Sequence, residues 1–421
     1  MTEGSFSSLA VVLAVAFGSR MLIALIPKLR VPGVVAEIVL GIVVGPQLLN
    51  WARVDDPVKL LSTIGVIFLL FLAGMELDVK HLRGELLHVA ARGFGVSVVL
   101  AWCAGLVLSK LGVVQNPLLV SVILTSTALG LVLPVLKEAE VITLPLGQLI
   151  VAGSTFGEFG AVIALSLLFS RDTSSTGSRL LLLSVFGLGT LLLGWSIKLA
   201  ELSKPISNAL QRLQDTTAQI RIRAALLLVV ALVTFAQHNG LESILAAFVA
   251  GAVVSIVDRD SQATHRHFRV KLDAIGHGFL VPIFFVASGV RFDLRALIDQ
   301  PTVMLRVPIL VVALAVSRAA PALTYRSLIS RRDCIAAGLL QATSLPFIVT
   351  ATAIGVATGA LDTATAAALV AAGLTSVIVF PALAASLLKG GDHTCLFSLS
   401  DSPTEPHRSI YSSESPFPTA T

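Results

Sequence analysis

Gly74-Met75-Glu76-Leu77-Asp78, closing one long apolar run, is answered 215 residues later by Gly289-Val290-Arg291-Phe292-Asp293 at the end of another. Working outward, Ser126-Thr127-Ala128-Leu129 resembles Ala342-Thr343-Ser344-Leu345, 216 residues on, and Gly41-Ile42-Val43-Val44 resembles Gly251-Ala252-Val253-Val254, 210 on. Short apolar matches arise by chance, but three in the same order at nearly one offset mark an internal repeat.

The rest of the chain reads as lipid-embedded. Of its 421 residues 55% are hydrophobic and 13% charged, more apolar surface than a soluble domain can hide. Apolar runs of about 20 residues, each long enough for a bilayer core of about 30 Å, recur to about residue 388. Helices are expected rather than barrel strands, which are shorter and alternate in polarity. Thirteen spans are predicted, starting near Phe6, Gly33, Pro57, Glu85, Pro117, Leu146, Arg179, Ile220, Gly240, Val270, Thr302, Cys334 and Asp362. The first, Ser5 to Leu29, is too long for a signal-peptide core and reads as a span. Distributing the loops alternately gives nineteen basic residues on one side and eight on the other. The richer side is expected in the cytoplasm of a cell (inner or plasma) membrane, with the N-terminus outside and the C-terminus inside. Spans 1 to 6 (about 6–170) and 8 to 13 (about 220–388) form the two copies, and span 7 (about 179–203) links them. The second copy therefore enters from the opposite face. The expected fold is an all-α polytopic membrane protein of inverted repeats, with its site at the repeat interface near the midplane, lined by discontinuous helices. Residues 389–421, rich in Ser, Pro and Thr, read as a disordered cytoplasmic tail.

Candidate chemistry lies inside the spans. Span 5 carries Thr125, Ser126 and Thr127 before Gly130, and its partner span 12 carries Thr343 and Ser344 before Pro346. Each sets hydroxyls beside a helix breaker in mid-membrane, where freed carbonyls need a cavity or protein neighbours. Such oxygens suit a small monovalent cation, or the hydroxyls simply bond back to their own helices. Glu158 falls about halfway along span 6; an ionised carboxylate there costs roughly 2.5–3.5 kcal/mol on insertion scales, so a functional or paired role is the default. Ser154 and Thr155, one turn away, could complete an oxygen shell around a monovalent cation at Glu158. Arg318 lies well inside span 11 and stays charged; its obvious counter-charge is Glu158, the alternative being snorkelling to the interface. Glu37 and Arg20, in adjoining spans, are expected to pair structurally. His277, at the start of span 10, either titrates near neutral pH or is a solvated end residue, and His265 and His267, in a mixed-charge cytoplasmic segment, either sense pH or are merely solvated. Cys103, Cys334 and Cys395 form no pair or metal spacing. No potassium-filter, P-loop or zincin signature is present, so neither an enzyme nor a cofactor is expected, and the +5 charge reports topology rather than nucleic-acid binding.

With these residues in view, the sequence resembles the monovalent cation:proton antiporters, in the branch holding sodium/proton exchangers and glutathione-gated potassium-efflux systems, over about residues 5 to 388. The recognisable pieces are Val31-Pro32-Gly33 with Glu37 and Gly41 to Pro46, Phe71 to Asp78, Thr125 to Leu129, and Pro282 to Val286 with Gly289. The resemblance implies that a membrane carboxylate in the sixth helix, usually aspartate, takes cation and proton alternately, and that a basic residue in the eleventh pairs with it. Glu158 and Arg318 match these positions, and spans 5 and 12 match the crossing broken helices. It also implies a homodimer. Two features depart from the family. Gly157 precedes the longer Glu158 where Asn, Gln or Asp is usual, and about thirty residues follow span 13, so a regulatory nucleotide-binding domain is not expected. The leading expectation is alternating-access exchange of Na⁺ or K⁺ for protons, electroneutral because a single carboxylate is placed at the core. A gated cation channel and a non-transporting sensor or scaffold are the competing classes.

Overall fold

The computed structural model describes residues 6–25, 32–76, 85–169, 187, 219–239, 241–257 and 262–388. Almost all of the expected linker span, the tail, and Leu77 and Asp78 of the repeat lie outside them, as do the side chains of His265 and His267.

Helix starts follow from local chemistry. In α3 (Asp56–Met75) the Asp55 side chain accepts from Val58 N and Pro57 sits in the first turn. In α5 (Pro117–Leu124) Asn116 accepts from Leu119 N, and in α14 (Arg331–Gln341) Ser330 accepts from Asp333 N. Each caps donors that lipid could not satisfy. The other helices are α1 (Ser7–Leu25), α2 (Gly33–Val44), α4 (Glu85–Lys110), α6 (Leu129–Glu138), α7 (Pro145–Phe169), α8 (Ile220–His238), α9 (Ser243–Val257), α10 (Gln262–Ile275), α11 (Val281–Arg291), α12 (Leu294–Ile298), α13 (Pro301–Ala319), α15 (Pro346–Ala357) and α16 (Thr363–Leu388). Ten segments among the described residues are long and apolar enough to cross a membrane, with Gly33–Val44 and Ser243–Ile256 as shorter apolar helices. Among the described residues expected and observed starts agree within three residues, except that span 10 extends back to Gln262.

Span 10 is not one regular helix. A π-turn, Gly276–Leu280, joins α10 to α11, and the Val281 N–H reaches back to Gly276 O. Pro282 follows and brings no N–H, so the helix widens where its ladder is already interrupted.

The helices form two bundles. In one, α3 packs most extensively on α9 and α2 on α11, with α1 and α8 alongside; the other joins α4, α5, α7, α13, α14 and α16. Contacts between the bundles are sparse. The repeated glycines explain the first bundle. A Cβ on Gly41 would meet Val286 O and one on Gly289 would meet Ile38 O, while Gly74 lies on Phe248 O and Gly251 on Phe71 O. The motifs at offsets of 210 and 215 residues thus make two equivalent crossings, where backbone touches backbone as small residues permit in lipid.

In the second bundle spans 5 and 12 are both broken, at Thr125–Ala128 and Ala342–Leu345. The breaks cross and complete one another. Ala128 N donates to Thr343 O (2.9 Å), Thr127 Oγ1 to Gln341 O (2.6 Å), and the Ser126 and Ser344 hydroxyls share a 2.6 Å hydrogen bond. This is the inverted-repeat fold with two crossing discontinuous helices.

Candidate functional site

A cavity of about 1310 Å³ lies between the bundles, and Glu158 forms part of its lining. It takes in the first turns of α2, the last two turns of α3, α6, the start of α11, Pro346 and Phe347 of α15, and the end of α16. All of these belong to the half of the molecule where α2 begins and α3 ends, the face richer in basic residues. A separate cavity of about 210 Å³, lined by Ser62, Thr63, Glu242, Arg291, Thr350 and Thr358 among others, lies in the opposite half.

Glu158 sits midway along α7, and its Oε2 accepts from Leu129 N at 3.3 Å. Leu129 is the first residue of α6, so the break in span 5 presents a free N–H and the positive end of a helix dipole to the carboxylate. Ser154, one turn earlier, is buried and its hydroxyl has no hydrogen-bond partner among the described residues; Thr155 is buried beside it. A carboxylate and an uncommitted hydroxyl on successive turns are hard oxygen donors, suited to a dehydrated alkali cation or a proton. The other expected ligands are engaged elsewhere. Thr125 Oγ1 and Ser126 Oγ bond back to Val122 O and Ile123 O, both at 2.7 Å, Thr343 Oγ1 bonds Leu339 O at 3.2 Å, and Thr127 and Ser344 hold the crossover.

Arg318 has partners other than the carboxylate expected for it. Buried to 1% exposure, its Nη2 donates to Thr127 Oγ1 (2.5 Å) and Gly153 O (3.1 Å), Nη1 to Ser97 Oγ (3.1 Å), and Nε to Thr127 Oγ1 (2.9 Å) and Gln341 O (3.3 Å). All are neutral oxygens. One is the carbonyl closing α14, at the negative end of that helix. Gly157 makes this seat possible, since an added Cβ would stand 2.5 Å from Arg318 Nη2 and 3.0 Å from its Cζ.

A second carboxylate shares the cavity. Glu76, which caps α3, lies within electrostatic reach of Glu158, and its buried Oε2 has no hydrogen-bond partner among the described residues. It faces Gly130, where a Cβ would lie 3.7 Å from that oxygen. The sequence argument for a lone carboxylate at the core is therefore corrected. The signal was in the repeat motif itself, as an acid ending an apolar run, but the neighbouring Asp78 and Lys80 made that end look interfacial. At the cavity's rim Arg20 Nε donates to Glu37 Oε1 at 3.1 Å, with Gly33 giving room to the guanidinium, and His277 and Asp273 lie on the same wall.

Residues 12–390 match the transmembrane domain of the sodium/hydrogen exchangers. The chain belongs to that family. A putative Na⁺/H⁺ antiporter, YjbQ of Bacillus subtilis, is 31% identical over 400 residues, covering 90% of this chain and 63% of its own length. The chain thus spans less than two thirds of that relative. The Na⁺/H⁺-K⁺ antiporter GerN of Bacillus cereus is 26% identical over 282 residues, 65% of this chain and 68% of its own. In fold, the sodium proton antiporter MjNhaP1 of Methanocaldococcus jannaschii superposes with a TM-score of 0.67 at 16% identity, covering 91% of this exchanger-family chain and 98% of its own.

Proposed function

We propose that this chain is a secondary antiporter that exchanges Na⁺ or K⁺ for protons across a cell membrane, one for one, by alternating access. The observation that carries the reading is a deep cavity that takes in Glu158 and is lined from one half of the molecule, with a separate cavity in the other half. A carboxylate reached from one face at a time is a carrier site rather than a pore. Sparse contacts between the bundles allow one to move against the other and transfer the site between faces. The membership in the sodium/hydrogen exchangers and the cation/proton antiport named for its relatives point the same way.

Glu158 takes a proton on one face, and on the other exchanges it for a cation, which Ser154 helps to desolvate. Arg318 braces the crossover and, as a guanidinium, releases no proton. One-for-one exchange follows if Glu76 keeps the same charge throughout the cycle and serves to attract the cation. The basic-rich face is read as cytoplasmic, so the large cavity opens inwards. A homodimer in the membrane completes the proposal.

The test uses proteoliposomes loaded with a pH-sensitive dye, to which Na⁺, K⁺ and Li⁺ are added in turn. Cation-driven proton movement that disappears in Glu158→Gln, with folding retained, is the expected result. Exchange persisting in that variant would remove Glu158 from the mechanism. Absence of any cation-driven proton movement in the parent protein would remove antiport altogether.

A further inference from the structure

The two cavities are related by the internal repeat. At the offset of 215 residues, Val66, Phe284 and Arg291 of the small cavity correspond to Val281, Leu69 and Glu76 of the large one. At 216 residues, Thr350 and Ile354 correspond to Pro134 and Glu138; at 210, Glu242 and Ile244 correspond to Pro32 and Val34. Seven lining positions, six of them from four helices and Glu242 just before α9, thus have their counterparts in the lining of the other cavity. The small cavity is the smaller counterpart of the large one on the opposite face.

The charges, however, do not follow the symmetry. The large cavity carries Glu37, Glu76, Glu138, Glu140, Glu158 and Asp273 against Arg20 and His277. In the small one Glu242 is matched by Arg291, and Arg291 stands where Glu76 stands in its counterpart. We infer that Arg291 makes the exchanger electrostatically one-sided, lowering the affinity for a monovalent cation arriving from the face where α3 begins and α11 ends. A guanidinium at the end of α11 opposes cation entry to that vestibule and cancels the attraction of Glu242. At the other face the corresponding acid, Glu76, draws the cation in. The inference rests on the alternating-access exchange proposed above.

The test measures the cation concentration for half-maximal proton exchange separately at each face, in right-side-out and everted membrane vesicles, for the parent, Arg291→Gln and Arg291→Lys. Removing one solvated charge from the lining of this cavity is expected to change the apparent affinity by about five-fold for a cation that passes at about 4 Å from it. Arg291→Gln therefore lowers the half-maximal concentration at the α11-end face by about that factor and leaves the other face unchanged. Arg291→Lys retains the parent value, and raising the ionic strength narrows the difference. If the parent exchanges but Arg291→Gln alters neither face, or both equally, Arg291 serves only the helix end and the inference fails. If the parent shows no exchange at either face, it is the proposed function that fails.

Discussion

Replacing Gly157 by alanine sets two effects of opposite sign against each other. Alanine in a helix interior is favoured over glycine by about 0.8–1.0 kcal/mol, so propensity alone predicts a more stable protein. Geometry predicts the reverse. The new Cβ would stand 2.5 Å from Arg318 Nη2 and 3.1 Å from Thr125 O, whereas non-bonded carbon contacts settle near 3.5–4.0 Å. The guanidinium must retreat by about 1 Å, which takes Nη2 out of bonding range of at least one of Thr127 Oγ1 and Gly153 O. Hydrogen bonds to charged groups contribute about 1.5–3 kcal/mol each, so losing one or two outweighs the gain in propensity and leaves a net cost of about 0.5–5 kcal/mol. The assay is thermal unfolding in detergent micelles of Gly157→Ala in two backgrounds, the parent and Arg318→Met, with exchange measured on the same preparations. A lower unfolding temperature is expected with Arg318 present, and little change or a rise without it. A rise in the parent background would refute the reasoning, because it would mean that the guanidinium does not occupy that space.

Glu76→Gln is expected to retain exchange with weaker cation affinity and no response to a membrane potential imposed on proteoliposomes. A parent rate that varies with potential, and becomes flat in Glu76→Gln, would show that Glu76 releases a second proton and would end the one-for-one stoichiometry. Arg318→Lys is expected to lower the unfolding temperature while leaving the pH profile of exchange in place, since the guanidinium is bonded to neutral oxygens and not to Glu158; a displaced profile would place it beside the carboxylate in the working protein. Glu158→Asp is expected to exchange with altered cation affinity, the carboxylate being withdrawn by one methylene, and an unaltered affinity would argue against direct coordination.

Much of the architecture was legible because membrane helices announce themselves twice, through length and through what breaks them. The starts expected near Pro57 and Pro117 fall in the first turns of α3 and α5, whose caps are the preceding Asp55 and Asn116. The repeat was legible because four of its glycines are required by contact: Gly41 meets the α11 backbone around Gly289, and Gly74 and Gly251 each touch the backbone of the other's helix. Glu158 stood out as a charge in an apolar run. Hydropathy could not reveal which end-of-run acid turns inward, and so it passed over Glu76. That choice is made by the approach of α6, where Gly130 leaves the space that the carboxylate faces.

The pairing of Arg318 was misjudged for a more general reason. Two opposite charges in a low-dielectric interior are expected to find one another, but that argument counts formal charges and omits the ends of broken helices. The breaks in spans 5 and 12 leave backbone groups without helical partners, and each helix end carries about half an elementary charge. Here the carbonyl closing α14 and the Thr127 hydroxyl take the guanidinium, while the amide opening α6 takes the carboxylate. Each formal charge is therefore balanced by a helix terminus of opposite sign. An ion pair between Arg318 and Glu158 would have to be broken whenever a cation bound. The arrangement seen here leaves Glu158 held, among the described residues, by one long hydrogen bond and open to the cavity, so that a cation or a proton can reach it without displacing a fixed charge.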